Sequence, residues 1–307
     1  MSLYLPELIH PVHQFAHRTI DFDREVAVMA IINRTPDSFY DDGANFALDA
    51  AVRAALRAVE DGAQWLDIGG VPFAPGPELP WQEEADRVVP AIRAIREQTD
   101  AIISADTFQP QVAAAAIAAG ADVINDTTGI SHPDLGRVVA DAGVHLVITH
   151  SLARPRTVYP RPAYADVVSE VSTFLQEKVE MALGLGIDES KVIIDPGHDL
   201  NKNTLHTLEI TRRFDEIAGL GYPVLAAVSN KDFIGETLDQ PKSERLPGSL
   251  AAATICLMNG ARILRMHNVA EAVSAARLFE ATAGWRAPTY LRHNMGEANE
   301  PSRVTGR

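Results

Sequence analysis

Cysteine is almost absent from this chain, since Cys256 is the only one among 307 residues. A disulfide framework and a thiolate metal cluster both need several cysteines, so both are excluded. Cys256 lies in the apolar segment SLAAATICLMNGA, where a helical face is the expected setting. The sequence therefore predicts a small core residue rather than a reactive thiol.

Long apolar runs and an excess of positive charge are also missing. The start, MSLYLPELIH, has no basic stretch followed by an apolar one, and no later segment reaches the ~20 apolar residues that cross a bilayer. The formal net charge is -14, whereas nucleic acids and anionic membranes need a basic face. We therefore expect a cytoplasmic protein that binds neither nucleic acid nor a membrane. A few local cations could still bind a small anion, because charges are screened over ~8–10 Å.

Short β-rich apolar runs alternate with longer segments of helical period from residue 26 onward, as in a parallel sheet. The eight predicted strands span 26–33, 64–70, 101–106, 122–127, 144–150, 191–195, 223–229 and 261–266. Eight strand–helix pairs predict an α/β fold, a (β/α)8 TIM barrel rather than a doubly wound sheet. We expect residues 1–25 to form a leader packed on the barrel, 26–285 the barrel, and 286–307 a disordered polar tail.

Polar residues close or directly follow every predicted strand, and in such a barrel these positions build the active site. In chain order they are Asn33, Asp67, Asp106, Asn125 with Asp126, His150, Asp195, Ser229 with Lys231, and Arg265 with His267. Asp and Asn also cap helices and shape turns, so each carboxylate or amide alone has a structural explanation. A turn role suits Asp67 and Asp195, a cap suits Asp106, and His150 could be a hydrogen-bonded histidine at the edge of the site.

Taken together, these residues suit a particular kind of ligand. Four offer donors and acceptors for a flat heterocycle with an amino-pyrimidinone edge: Asp106, Asn125, Asp195 and Lys231. Lys231, Arg265 and His267 are cations suited to a phosphate or diphosphate, and Asn33 is a possible oxygen ligand for Mg2+. Glycine-rich phosphate motifs of the P-loop and dinucleotide types are absent, so nucleotide-dependent chemistry has no support.

Several motifs, in order and each at a strand end, resemble those of dihydropteroate synthases over nearly all of residues 26–285. They are AIINRTPDSFYDDG (30–43), DIGG…PG (67–76), ISADT (103–107), INDTTG (124–129), IIDPG (193–197), SNKDFIG (229–235) and LRMH (264–267). That family joins p-aminobenzoate to 6-hydroxymethyl-dihydropterin diphosphate in folate biosynthesis and expels pyrophosphate.

The resemblance implies roles for individual residues. It assigns pterin binding to Asp106, Asn125, Asp195 and Lys231. It assigns diphosphate binding to Asn33, Arg265 and His267, and coordination of Mg2+ to Asn33 together with the diphosphate. Lys231, Arg265 and His267 would then be the catalytic residues, and a cytoplasmic homodimer is implied as well.

The chain departs from the family pattern in the loops for the second substrate. Where the family reads Ser-Thr-Arg-Pro-Gly, this chain has Phe73 and Ala74 in place of the Thr and Arg. The family's Gly-Ile-Gly-Phe-Gly-Lys becomes residues 197–202, GHDLNK, with Leu200 replacing the aromatic residue, and Asn230 replaces the Arg of Ser-Arg-Lys. Each charge-assisted hydrogen bond contributes about 1.5–3 kcal/mol, so losing two arginines could lower the binding affinity or the reaction rate by a few orders of magnitude. Possible replacements for the lost charge are Arg34, Arg154 and Arg156.

Three functions remain open at this point. The leading hypothesis is a divergent paralogue of dihydropteroate synthase with weak or no condensation, and its ligands would be a pterin and either p-aminobenzoate or a sulfa-type analogue. The second is an active dihydropteroate synthase whose loops have drifted. The third is a non-catalytic protein that binds a pterin-type ligand or a partner. A pterin-binding methyltransferase is disfavoured, because no corrinoid domain is attached.

Overall fold

The computed structural model describes residues 5–33, 43–159 and 161–294. Two short strands, β1 (Val12–Gln14) and β2 (Thr19–Asp21), precede eight longer ones. These eight are β3 (Ala27–Asn33), β4 (Trp65–Gly69), β5 (Ile102–Asp106), β6 (Val123–Asp126), β7 (His145–Thr149), β8 (Val192–Asp195), β9 (Val224–Ala226) and β10 (Ala261–Met266). They close into a parallel barrel in chain order, with β10 beside β3. The predicted TIM barrel is confirmed, and each of its eight strands lies within its predicted range, whereas β1 and β2 were not predicted.

Helices connect the strands on the outside of the barrel. They are α1 (Gly43–Glu60), α2 (Trp81–Arg96), α3 (Pro110–Ala118), α4 (Pro133–Ala142), α5 (Val167–Gly184), α6 (Thr204–Arg212), α7 (Phe214–Ala218), α8 (Asp232–Leu238), α9 (Leu246–Met258) and α10 (Val269–Thr282). Local sequence sets several of their ends: Asp166 caps α5 by accepting from two backbone N–H groups, and Gly143 ends α4 with a φ of 64°. None of the described helices is long and apolar enough to cross a membrane.

The two-residue period of the strands divides the barrel interior into layers. The lower layer is apolar and consists of Met29, Trp65, Ile102, Val123, Val147, Ile193, Leu225 and Ile263. Two residues further along six of these strands, the inward positions are polar: Asp67, Ser104, Asn125, Thr149, Asp195 and Arg265. The alternating positions face outward and form a second core with the helices. The fold therefore gathers the polar side chains above a sealed apolar base.

The N-terminal hairpin covers the opposite end of the barrel. Phe15, Ile20 and Phe22 pack against the apolar lower layer and are almost fully buried. His13 and His145 lie beside them with ring centroids 5.4 Å apart. The division of the chain into leader, barrel and tail stays a prediction, and most of the predicted tail, residues 295–307, lies outside the described residues.

Candidate functional site

Two adjoining spaces open at the carboxyl ends of the barrel strands. The inner cavity has a volume of about 410 Å³, and its polar lining includes Asp106, Asn125, Thr149, Asp195, Lys231 and Arg265. The outer cleft, also about 410 Å³, is lined by Ala74, Asp199, Asn230, Asp232 and His267 among others. Seven residues border both spaces: Asn33, Phe73, Leu200, Ala227, Lys231, Lys242 and Arg265. A further cavity of about 390 Å³ between β3 and α1 shares Ile31 and His267 with the outer cleft.

Asp67 organises the base of the inner cavity, although the sequence suggested that it ends a strand or shapes a turn. That expectation is wrong, because Asp67 lies in the middle of β4 and is fully buried. Its carboxylate accepts hydrogen bonds from Ser104 Oγ at 2.5 Å, Asn125 Nδ2 at 3.1 Å and Arg265 Nε at 2.6 Å. A buried carboxylate needs such partners to offset its lost hydration. Asp67 thus positions two ligand-facing side chains without lining the cavity itself.

Arg265 is held between two carboxylates. In addition to Asp67, it donates from a terminal nitrogen to Asp106 Oδ2 at 3.2 Å. Burial and the neighbouring Asp67 carboxylate raise the pKa of Asp106 above its ordinary value, against the opposing effect of Arg265. The predicted capping role of Asp106 is wrong, because the residue that precedes α3 is Gln109. Much of the hydrogen-bonding capacity of Arg265 is therefore committed inside the protein.

Unsatisfied polar groups converge on the remainder of the inner cavity. Asn125 Oδ1 and Thr149 Oγ1 are buried and have no hydrogen-bond partner among the described residues. Burial raises the pKa of Asp195 to about 6, while one of its oxygens accepts from Gly197 N at 2.7 Å. The predicted turn role of Asp195 and its place in the cavity are therefore compatible. Burial lowers the pKa of Lys231, whose ammonium forms no hydrogen bond or ion pair within the described ranges. Such a set of open donors and acceptors is what a polar ligand requires.

Two of the predicted polar residues have structural roles. Asp126 accepts from Thr128 N at 2.8 Å and Ile130 N at 2.5 Å, and so fixes the loop after β6. His150 accepts from Lys202 Nζ at 2.8 Å through Nδ1, which agrees with a hydrogen-bonded histidine. Burial lowers the pKa of His150 far below its usual range, so it is neutral.

The loop between β4 and α2 carries the first departure from the family pattern. The Arg156 side chain donates hydrogen bonds to backbone carbonyls of this loop, to Ala74 O at 2.8 Å and to Pro77 O at 3.1 Å. Its guanidinium therefore shapes the loop and is not aimed at a ligand. Arg154 lines a neighbouring cavity of about 260 Å³, and Arg34 lies outside the described residues.

Two carboxylates, those of Asp199 and Asp232, line the outer cleft. Asp199 Oδ2 accepts from Asp232 N at 2.6 Å, at the first turn of α8. Asp232 itself pairs with Arg245 at 2.8 Å, and Arg245 also donates to the backbone carbonyl of Asn230 at 3.0 Å. Asn230 has a φ of 56°, a conformation that Asn tolerates better than most residues. The turn that precedes α8 is thus stabilised from within the protein.

Ser229, His267 and Asn33 lie at the edge of the site. Ser229 Oγ is 3.0 Å from His267 Nδ1 and accepts from His267 N at 3.1 Å. Burial and the nearby Arg265, Lys242 and Lys231 charges lower the pKa of His267, so its ring is uncharged at neutral pH. From the sequence we predicted that His267 is a cation, whereas its surroundings favour a neutral hydrogen-bonding group.

Some residues that line the inner cavity were missed from the sequence. Glu84, from α2, is 1% exposed and lies near the Thr107 hydroxyl and Arg87. Burial raises the pKa of Glu84 to about 7. Thr149 lies within the predicted strand 144–150 but was passed over in favour of His150. Lys242 comes from a short 3-10 turn (Lys242–Glu244) far along the chain. His198 could have been identified from the sequence, because histidine replaces the isoleucine of the family pattern at this position.

Comparisons with known proteins agree with this architecture. The model of the pterin binding enzyme family matches residues 29–267. A Mycobacterium leprae protein named inactive dihydropteroate synthase 2 is 42% identical over 278 residues, which cover 89% of this chain and 95% of that protein. Dihydropteroate synthase of Haemophilus influenzae is 37% identical over 257 residues, covering 83% of this chain and 94% of that enzyme.

A solved structure shares both sequence and fold with the chain. Dihydropteroate synthase of Xanthomonas albilineans, determined with 4-aminobenzoic acid, superposes with a TM-score of 0.83 at 39% identity, covering 89% of this chain and 98% of that one. The motifs at the strand ends, the closed barrel and these relatives lead to one assignment. The chain belongs to the pterin binding enzyme family and is a divergent homologue of dihydropteroate synthase.

Proposed function

We propose that this protein binds a pterin-type ligand in its inner cavity and catalyses the condensation with p-aminobenzoate weakly or not at all. The observation that carries this proposal is the contrast between the two spaces of the site. The inner cavity presents unsatisfied donors and acceptors for a heterocycle, whereas the outer cleft lacks two family arginines and contains the carboxylates of Asp199 and Asp232.

Pterin recognition follows from the chemistry of the inner cavity. The amino-pyrimidinone edge of a pterin offers two neighbouring N–H donors and a carbonyl acceptor, so the ionised Asp195 suits the donors. Lys231 can donate to the carbonyl or a ring nitrogen, and Asn125 Oδ1 can accept. Asp106, oriented by Arg265, borders the same space. Rigid strands position three of these four groups, which favours a preorganised site.

The outer cleft is poorly suited to a benzoate anion. In this chain Leu200 replaces an aromatic side chain that would stack on the second substrate, and Asp199 already accepts from the backbone N–H of Asp232. A benzoate there would be repelled by the carboxylate of Asp199, whereas that of Asp232 is paired with Arg245, which also lines the cleft. The missing arginines remove about 1.5–3 kcal/mol per charge-assisted hydrogen bond. These changes together support a large loss of condensation activity.

The diphosphate end of the site is partly preserved. Lys231 and Lys242 border the space where a diphosphate would extend, and Arg265 borders it as well while pairing with Asp67 and Asp106. Asn33 ends β3 beside both spaces, and its amide oxygen is a ligand type that Mg2+ accepts when substrate oxygens and water complete the shell. No cluster of three His, Cys, Asp or Glu side chains suited to a metal occurs in the described ranges. When bound, Mg2+ would neutralise charge on a departing diphosphate.

The test compares this protein with a dihydropteroate synthase that has the usual loop arginines. Pyrophosphate release from 6-hydroxymethyl-dihydropterin diphosphate is measured with and without p-aminobenzoate in Mg2+ buffer, and pterin binding is measured on the same samples. We expect saturable pterin binding, with release at least about 100-fold slower than in the control enzyme. Turnover within about tenfold of the control would overturn the proposal, as would an absence of pterin binding in a folded sample.

We further propose that the protein forms a homodimer through its later helices. Three large apolar side chains on α9 and α10 are exposed, namely Ile255, Met258 and Leu278. Burying them against a second copy would remove apolar surface from water. Light scattering during size-exclusion chromatography tests this, and a monomeric mass at micromolar concentration would contradict it.

A further inference from the structure

His198 is the most unusual side chain bordering the inner cavity. It is fully buried, and neither ring nitrogen has a hydrogen-bond partner among the described residues. It follows Gly197 in the connection between β8 and α6 and lines the cavity together with Asp195 and Lys231. Leaving a buried donor or acceptor unpaired costs about 1–3 kcal/mol. A residue kept at that cost is a candidate for ligand recognition.

The neighbours of His198 restrict how its ring can interact. Phe214 and Phe233 lie nearly parallel to its ring, with ring centroids at 6.0 Å and 6.3 Å and interplanar angles of 17° and 29°. These aromatic neighbours offer the imidazole no hydrogen-bond partner, so its ring nitrogens depend on other groups for hydrogen bonds. Burial and the charges of Lys231 and Lys202 lower the pKa of His198 to about 3, so the ring is neutral, with one donor and one acceptor nitrogen.

The family pattern has isoleucine at this position, an apolar side chain that suits a site beside Phe214 and Phe233. An imidazole there adds hydrogen-bonding capacity next to Asp195, the residue to which pterin binding is assigned. The four residues to which pterin binding is assigned match the family pattern, whereas Phe73 and Leu200 depart from it without adding a polar group. His198 is therefore a departure that changes what the cavity can recognise.

We propose that His198 is a specificity-determining residue that hydrogen-bonds a polar substituent on the bound ring. The preferred ligand is then an oxo- or hydroxy-substituted pterin rather than the unsubstituted ring. This inference rests on the proposed function. A site that offers a buried hydrogen-bonding group discriminates strongly against a ligand that leaves the group unpaired.

The experiment measures dissociation constants by calorimetry for pterin, its 6-oxo derivative and its 7-oxo derivative. The wild type is compared with His198→Ile, which restores the family residue, and with His17→Ile, a control on the exposed surface. We expect the wild type to bind one oxo derivative at least about tenfold more tightly than pterin. In His198→Ile that preference should disappear, mainly by weaker binding of the oxo derivative, whereas His17→Ile should keep it.

Thermal unfolding of the ligand-free proteins separates recognition from a structural role. If His198 stabilises the fold, His198→Ile unfolds at a lower temperature than the wild type. If it is kept for a ligand, isoleucine removes two unsatisfied groups and the unfolding temperature rises. Equal affinities of the wild type for all three compounds, or a lower unfolding temperature of His198→Ile with unchanged ligand preference, would overturn the inference. Failure to bind any of the three compounds would contradict the proposed function itself.

Discussion

The inner cavity and the outer cleft share seven lining residues, yet sequence change has affected them very differently. The polar base of the inner cavity consists of inward-facing strand residues such as Asn125 and Asp195, which are tied into the barrel and its polar network. The outer cleft is built from connections such as the loop with Phe73 and Ala74. A substitution on a strand disturbs the core, whereas a loop accepts replacement at little cost in stability. Such a protein can therefore lose its second substrate while it retains the binding site for its first.

A substitution in the inner cavity should abolish the difference between the two spaces, because pterin binding is then lost as well. Asp195→Asn removes the negative charge and leaves a neutral amide facing the pterin N–H groups, so we expect pterin affinity to fall at least about 100-fold. Asp134→Asn, an exposed change on α4, serves as the control and should bind as the wild type does. The measurement is calorimetric titration with 6-hydroxymethylpterin. Similar affinities in both variants would show that the pterin does not bind Asp195.

Restoring a cation to the outer cleft should reduce the contrast. Ala74→Arg introduces the charge that the family pattern has in this loop, and we expect pyrophosphate release to increase by about 10- to 100-fold. Ala74→Gln has a long polar side chain without charge and should remain near the wild-type rate. The steady-state assay is the same for all three proteins. An equal increase in both variants would assign the effect to loop packing rather than to charge.

The pH dependence of binding should come from the inner cavity alone. The pKa of Asp195 is raised to about 6, and the pterin requires the ionised form. Binding should therefore be constant above pH 7 and weaken as the pH falls through 6, approaching about tenfold per pH unit in the acid limb. Asp195→Asn should make this dependence shallower, because only Asp106 and Glu84 would remain of the three carboxyl groups with raised pKa values in this cavity, and titrations between pH 5 and 8 can detect the difference. A flat profile for the wild type would contradict the assignment.

Lys242 offers a finer distinction between the two spaces. It borders both, and its ammonium makes no hydrogen bond or ion pair in the part of the chain that the structure describes. We expect Lys242→Gln to weaken binding of 6-hydroxymethylpterin diphosphate about three- to tenfold and to leave the unphosphorylated pterin unaffected. Lys178→Gln, on α5 beside Phe174, is the matched control. Equal loss for both ligands would place Lys242 at the ring rather than at the phosphates.

Much of this organisation could be predicted from the sequence, because it depends on strand period and position. The eight apolar runs located the barrel strands, and residues such as Asn125, Asp195 and Lys231 do line one cavity. The role of Asp67 could not be predicted, since its burial depends on where β4 ends and on donors from three other strands. The engagement of Arg156 by loop carbonyls and the neutral state of His267 likewise depend on packing between distant segments.

The most direct test of the central claim is a pair of affinities measured by calorimetry on the wild type and on an active dihydropteroate synthase. One titrates 6-hydroxymethylpterin, and the other titrates p-aminobenzoate in the presence of the pterin, pyrophosphate and Mg2+. We predict a pterin affinity within about tenfold of the active enzyme and a p-aminobenzoate affinity at least about 100-fold weaker. If both affinities match the active enzyme, or if both are lost, the inner cavity and the outer cleft have not diverged separately and the account is wrong.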